Sequence, residues 1–319
     1  MTEFELIRTF FARQPVSRAD VKTGIGDDAA LLRPPHNQCL TVTSDLLVAG
    51  VHFFPDVDPV SLGHKALAVN LSDLAAMGAE PAWFLLNLTL PSVDATWLEQ
   101  FCHGMFDLAR EYNVQLVGGD TARGPLAIAI EAHGFVPEAV ALRRSAAKAG
   151  DGIYVTGTLG DAALALRHRR DEIRLPERDF AAVAQQLDRP TPRVREGMAL
   201  RGIAHGAIDI SDGLLADLGH ILEMSEVGAR IYLDRIPVSD VSRRHLKETG
   251  WETVLAGGDD YELCFTVPDK NVAALEKLHF ACGVHRVGEI EAAPGLRILD
   301  ESGKPYHSKA TGHNHFSEK

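Results

Sequence analysis

Cysteine is scarce in this chain of 319 residues. Its four thiols, Cys39, Cys102, Cys264 and Cys282, stand far apart with no Cys-x-x-Cys pair, which argues against both a disulfide framework and a thiolate zinc site. Four dispersed buried thiols are expected. Positive charge is also short: 32 Lys and Arg face 44 Asp and Glu, a net charge of −12. Such a balance opposes approach to a nucleic-acid backbone or an anionic membrane, so a phosphorylated ligand would need metal ions or local basic groups. No run approaches the ~18 apolar residues of a membrane span. The start carries Glu3 and Glu5 where a signal peptide needs basic residues, and a cytoplasmic location is expected. Also absent are G-x-x-x-x-G-K-[ST], H-R-D paired with D-F-G, G-x-S-x-G and H-E-x-x-H, so nucleotide chemistry, if present, uses another scaffold.

What is present suits a globular protein. With 45% hydrophobic and 24% charged residues the chain can bury a core, and its length predicts about two domains. Phe4, Leu6, Ile7, Phe10 and Phe11 recur at helical spacing, and Leu40 to Asp45 alternates as a strand expected to end in hydroxyl and carboxylate groups. Apolar periodicity from Pro59 to Ala79 predicts a helix stopped by Gly78 and Pro81. A strand from Trp83, a helix over 95–112 and strands at 114–117 and 126–136 follow. The stretch 137–151, with Pro137, Arg143, Arg144 and Lys148, has the character of a domain junction. Domains of 1–145 and 146–319 are expected, and the mixed alternation gives an α+β class. In the second half a strand at 153–156 and a helix at 160–169 precede a break at Arg189-Pro190-Thr191-Pro192 and a helix from Val194.

The informative feature is a series of short acidic turns. They are Gly26-Asp27-Asp28, Thr43-Ser44-Asp45, Ser72-Asp73, Gly118-Gly119-Asp120-Thr121, Asp209-Ile210-Ser211-Asp212-Gly213 and Gly257-Gly258-Asp259-Asp260. Each Asp alone is readable as a turn former or helix N-cap, a role open to Asp28, Asp73 and Asp212. Six together are harder to dismiss, because caps need neither paired glycines before the acid nor a hydroxyl beside it. Gathered carboxylates repel and resist desolvation, so they are tolerated when exposed, protonated or neutralised by cations. Hard oxygen ligands select magnesium, calcium or manganese, and magnesium commonly completes its shell with substrate phosphates.

Two further patterns are set aside. Gly24-x-Gly26-x-x-Ala29 fits a dinucleotide fingerprint, but Asp27 and Asp28 would stand where a pyrophosphate approaches. His313-Asn314-His315 has no further Cys or His nearby to complete a transition-metal site.

In order along the chain, Gly24-Ile25-Gly26-Asp27-Asp28-Ala29-Ala30, Thr43-Ser44-Asp45, Ala68 to Ala79 with Asn70-Leu71-Ser72-Asp73, Gly118-Gly119-Asp120-Thr121, Ile210-Ser211-Asp212-Gly213-Leu214 and Tyr261-Glu262-Leu263 closely resemble the thiamine-monophosphate kinase family of the PurM-like ATP-binding superfamily. The resemblance covers nearly the whole chain. It implies a two-domain PurM-like fold, with an N-terminal α/β domain that dimerises and a C-terminal α+β domain, and direct transfer of the ATP γ-phosphoryl to thiamine monophosphate with several Mg²⁺ ions. Carried over by position, it implies metal ligands at Asp28, Thr43, Ser44, Asp45, Asp73, Asp120, Asp209 and Asp212. Nucleotide contacts fall on Gly119, Asp120, Arg144 and Ser211, and substrate contacts on His52, Asp259 and His313. An acceptor that is already a phosphate anion needs no general base, only two polyanions held in line. Two positions depart from the family: Asp259 stands where Glu is usual, and His313 where an aromatic is usual. Alternatives are another ATP-dependent synthetase of the superfamily and a non-catalytic sensor of divalent cation or nucleotide. Expected partners are ATP, thiamine monophosphate and a second copy of the chain, with no nucleic acid and no membrane.

Overall fold

A computed structural model describes residues 2–308. The chain separates into two compact units, one of Met1–Leu74 with Ala79–Ala139, the other of Ala75–Gly78 with Val140–Lys319.

The first unit opens with a short helix α1 (Glu3–Leu6), which continues as a wider turn to Phe11, and a small hairpin of β1 (Val21–Thr23) and β2 (Leu31–Leu32). Its main sheet holds β3 (Cys39–Val48), β4 (Glu80–Leu90), β5 (Gln115–Arg123) and β6 (Ala127–Val136) in the order β3-β6-β4-β5. β6 runs antiparallel to both β3 and β4, while β5 lies parallel to β4. The connections β3-α2-β4 and β4-α3-β5 use α2 (Pro59–Ala76) and α3 (Ala95–Tyr112). α3 begins where the Asp94 carboxylate accepts the Thr96 and Trp97 N–H groups at 2.9 and 3.2 Å, and ends where Asn113 turns left-handed at φ 54°. Such caps fix helix boundaries from local sequence. α2 and α3 approach closely at Gly63 and Gly104: a Cβ there would stand 1.9 Å from the Phe101 carbonyl oxygen and 1.8 Å from that of Val60.

Side chains alternate across a strand. On β3, Thr43 and Asp45 are half-buried and Leu47 is buried, whereas Leu40, Val42 and Leu46 are 47, 53 and 55% exposed. Over part of that second face the hairpin residues Val21 and Leu32 cover Trp83, Val117 and Phe135, and the Trp83 indole N–H is held by Asp20 at 3.0 Å.

The second unit is built on a six-stranded sheet of β7 (Gly152–Thr156), β8 (Ala207–Asp209), β9 (Gly228–Tyr232), β10 (Leu263–Val267), β11 (Val284–Glu291) and β12 (Gly295–Leu299), ordered β12-β9-β11-β7-β10-β8. Only the β12–β9 pair is parallel. Every residue of β7 and β10 is buried, as expected of central strands covered on both faces. The unit also holds helices α4 (Asp161–Arg169), α5 (Glu177–Asp188), α6 (Val194–Ala199), α7 (Leu214–Ser225) and α8 (Asp240–Thr249), with shorter turns of helix at Glu252–Leu255 and Val272–Leu275. Leu214, Leu218, Ile221 and Leu222 of α7 enter the core with Ile208, Cys264 and Val287.

Three expectations are corrected. Thr43-Ser44-Asp45 lies in the middle of a ten-residue strand and not at its end, because Asn70 and Asp73 of α2 accept hydrogen bonds from its polar groups. The fifth strand extends through Gly118-Gly119-Asp120-Thr121, which pairs with β4. Of the cysteines, Cys102 and Cys264 are buried, but Cys282 is half-buried and Cys39 exposed. Among the described residues no helix is long and apolar enough to cross a membrane.

Candidate active site

The first unit gathers one group of polar side chains between β3 and α2. The Thr43 hydroxyl donates to Asp73 Oδ2. The Asp45 backbone N–H donates to Asn70 Oδ1 at 3.1 Å, while the buried Asn70 amide donates to Ala66 O at 3.1 Å one turn back in α2. Asp73 is thus interior to a helix, which dismisses its reading as an N-cap. Burial, and then the neighbouring Asp73 carboxylate, push Asp45 from an ordinary 3.8 to about 7. Both influences act in the same direction, and a bound cation would supply the charge that returns Asp45 to its ionised form. The donor set of two carboxylates and a hydroxyl is chemically apt for a hard divalent ion.

Strand register separates other candidates from this group. Ladder partners share a face: Asp45 pairs with Ile130, which pairs with Leu86, whereas Ser44 pairs with Glu131, and Asp120 pairs with Asn87. Ser44 therefore projects on the side of Leu46, opposite to Thr43 and Asp45, and the register sets Asp120 on that side too. β3 and β5 are the two edges of the sheet, three strand spacings or about 14 Å apart. Asp28 is exposed, its N–H held by the Asp27 carboxylate at 2.9 Å. Gly119 adopts φ 138°, and a Cβ there would lie 1.8 Å from Leu86 O, so the approach of β5 to β4 beside Asp120 requires glycine. Among the described residues no three His, Cys, Asp or Glu side chains gather closely enough to hold a metal; waters and phosphate oxygens would complete a magnesium shell. His52 follows β3, and its Nδ1 accepts the Val48 N–H at 3.0 Å, which leaves the ring proton on Nε2.

The second unit brings two acidic motifs side by side, although about fifty residues separate them in the chain. β8 and β10 pair Asp209 with Leu263, and the pairing continues outward: Ile210 N–H to Glu262 O at 2.8 Å, Tyr261 N–H to Ile210 O at 2.8 Å, and Asp259 N–H to Ser211 O at 2.9 Å. Glycine permits the contact, since a Cβ on Gly258 would meet Ser211 O at 2.4 Å. Asp259 and Tyr261 both have positive φ, 68° and 51°, and the Tyr261 hydroxyl donates to Asp259 Oδ1 at 3.0 Å. Strained non-glycine backbone of this kind collects at functional sites. Asp209 is buried at 3% exposure, whereas Ser211, Asp212 and Asp259 are half-buried.

Within the unit the Arg144 backbone lies at the C-terminal end of α7, whereas the Ser211 loop precedes its N-terminus. The Arg144 carbonyl accepts the Ser225 hydroxyl at 2.8 Å, at the last residue of α7, and the twelve residues of α7 span about 18 Å. The guanidinium the loops do hold belongs to Arg193, bound to Glu262. Its signal was the position directly after the Pro190-Thr191-Pro192 break. Asp217 was also missed, and Asp260, though part of the acidic turn Gly257-Gly258-Asp259-Asp260, was given no role. Asp260 is buried, accepts the Gly160 N–H at 3.0 Å, and is raised well above its ordinary range by burial and then by the acids around it. His313 lies outside the described residues.

Family models for the N-terminal and C-terminal domains of AIR synthase related proteins match residues 26–136 and 148–301. The thiamine-monophosphate kinase of Escherichia coli K12 is 49% identical over 323 aligned positions, covering 99% of this chain and 98% of that protein. This chain belongs to the thiamine-monophosphate kinase family. The kinase of Salmonella typhimurium LT2 is 50% identical, again over 99% of this chain and 98% of its own length. Among solved structures, the family member from Stenotrophomonas maltophilia K279a superposes with a TM-score of 0.84 at 45% identity, covering 91% of this chain and 93% of that one. AaThiL complexed with AMPPCP and TMP gives 0.78 at 30% identity, covering 91% and 92%. The two-domain fold that the resemblance implied is that of the family.

Proposed function

We propose that this protein transfers the γ-phosphoryl group of ATP directly to the phosphate of thiamine monophosphate, giving thiamine diphosphate and ADP in thiamine diphosphate biosynthesis, with Mg²⁺ held by acidic side chains. The observation that carries the reading is the Asp45–Asp73 pair with the Thr43 hydroxyl, in a chain that matches kinases of this reaction over its full length. The acceptor phosphate is nucleophilic as it stands, so no side chain is asked to remove a proton; holding two anions in line is the protein's task. Magnesium would offset the charge of the transferred group. The ligands we assign to the Mg²⁺ ions are Asp28, Thr43, Ser44, Asp45, Asp73 and Asp120 in the first unit and, separately, Asp209 and Asp212 in the second. Gly119, Asp120, Ser211 and Arg144 are the proposed nucleotide contacts, and His52, Asp259 and His313 the proposed acceptor contacts. A homodimer is proposed through the outward face of β3, supported by the exposed row Leu40, Val42 and Leu46.

The test is direct. Purified protein with ATP, Mg²⁺ and thiamine monophosphate should yield equal amounts of ADP and thiamine diphosphate by liquid chromatography and mass spectrometry. Cation or nucleotide binding without product would establish the sensor reading in its place.

A further inference from the structure

A helix that starts after glycine is ordinarily a ready anion site, its free N–H groups and dipole aimed at an incoming phosphate. The Ser211-Asp212-Gly213 turn ahead of α7 has that form, and Gly213 adopts φ 108°. The N–H groups of the turn itself, however, are already engaged. Asp217, in the first turn of α7 and only 3% exposed, directs a single oxygen, Oδ2, at three backbone N–H groups: Ser211 at 3.0 Å, Asp212 at 3.0 Å and Gly213 at 3.1 Å. The Asp217 N–H in turn donates to Gly213 O at 3.0 Å, which closes the turn on itself. With its donors bound inward, the turn has oxygens left to present: the Asp212 carboxylate and the Ser211 hydroxyl, both half-buried. The Ser211 carbonyl meanwhile accepts the Asp259 N–H at 2.9 Å, so the same clamp sets the position of the second acidic loop.

We propose that Asp217 is a positioning residue whose carboxylate gathers the three backbone donors of the Ser211-Asp212-Gly213 turn ahead of α7 and thereby holds that turn with Asp212 presented to a divalent metal. The inference rests on the reading of Asp212 as a metal ligand. Asp217 acts through hydrogen-bond acceptance at one oxygen. An amide oxygen in the same place would do the same work, whereas a direct ligand would depend on the full carboxylate charge.

The experiment compares full-length parent, Asp212→Asn, Asp217→Asn and Asp217→Ala for Mn²⁺ binding by electron paramagnetic resonance, alongside melting curves and the Mg²⁺ dependence of ADP formation. Asp212→Asn and Asp217→Ala should each weaken Mn²⁺ binding about tenfold, as loss of a ligand or its support does. Asp217→Asn should stay within about threefold of the parent, and KM for thiamine monophosphate should be unmoved in both Asp217 variants. An Asp217→Asn protein as weak as Asp217→Ala would overturn the proposal, as would unaltered Mn²⁺ binding in Asp212→Asn or in a folded Asp217→Ala. If Asp217→Ala shows no melting transition, Asp217→Asn decides alone: parent-like Mn²⁺ binding upholds the role and a tenfold loss removes it. A parent that binds Mn²⁺ yet forms no thiamine diphosphate would refute the proposed reaction while leaving this comparison readable.

Discussion

Arg193 grips Glu262 through one edge of its guanidinium, Nε to Oε2 at 2.7 Å and Nη2 to Oε1 at 2.5 Å. The Thr156 hydroxyl donates to the same Oε2 at 2.6 Å and accepts the Leu263 N–H at 2.8 Å, so the pair anchors the acidic loop to β7 and the start of β10. The two side chains are only 15 and 5% exposed. Removing one member of such a pair strands a buried charge, at a cost of about 3–5 kcal/mol, whereas replacing both by apolar groups of similar size is far milder. Arg193→Met and Glu262→Leu should each lower stability by about that amount in urea unfolding. The double variant should lie nearer the parent than either single one; a double variant showing the sum of both losses would contradict the pairing.

The pH dependence of metal-free protein draws on raised carboxyls, with the buried Asp260 acting in the same direction as Asp45 and Asp217. Asp45 and Asp217 are both pushed up to about 7 from 3.8, Asp45 by burial and then Asp73, Asp217 chiefly by burial. A raised carboxyl keeps its proton in the folded state at a pH where the unfolded chain has released it, so the folded protein binds more protons between about pH 4 and 7 and stability falls as pH rises through that window. In chelator, the melting temperature should decline across this range, and Asp45→Asn should flatten the decline. Mg²⁺ competes with the proton at Asp45, so the stabilisation it confers should grow with pH. A metal-free protein whose melting temperature climbs steadily from pH 5 to 8 would contradict the shifts.

Neutralising single acids tests the proposed ligands. Asp45→Asn and Asp120→Asn should each reduce turnover at least about a hundredfold, since a lost metal ligand removes charge stabilisation from the transition state. Both should keep the parent circular dichroism spectrum, because polar groups at half-buried or exposed positions contribute little to stability when neutralised. Full activity in both would remove the metal assignment.

How much was legible in the sequence depends on how locally each feature is determined. The limits of α3 were readable because Asp94 and Asn113 cap it within a few residues. The polar centre of β3 was read as a strand end, since nothing within the triplet reveals that Asn70 and Asp73 will meet it from α2. Which face Asp120 occupies turns on the irregularity between Phe84 and Leu85, where the β4–β5 register shifts; a shift of one residue exchanges faces. Arg193 and Glu262 are 69 positions apart, and neither announces the other. Asp217 resembled any acid in the first turn of a helix, and its three-donor clamp appears only once the turn is folded back upon it.

The outward face of β3 supplies the last prediction. Leu40, Val42 and Leu46 form a row on an edge strand of the sheet, a placement that invites cover by a second chain. Asp45 stands next to Leu46 on the opposite side of the same strand, so a charge placed at Leu46 disturbs the proposed interface without entering the Thr43–Asp73 group. Light scattering should give twice the chain mass of 34.6 kDa for the parent and a single chain mass for a Val42→Glu, Leu46→Glu double variant with an unchanged circular dichroism spectrum. Because Ser44 shares this face, dissociation should also lower specific activity on dilution of the parent, and the double variant should be weakly active at every concentration. A parent that remains a single chain at high concentration, with activity proportional to protein throughout, would show that the face works uncovered.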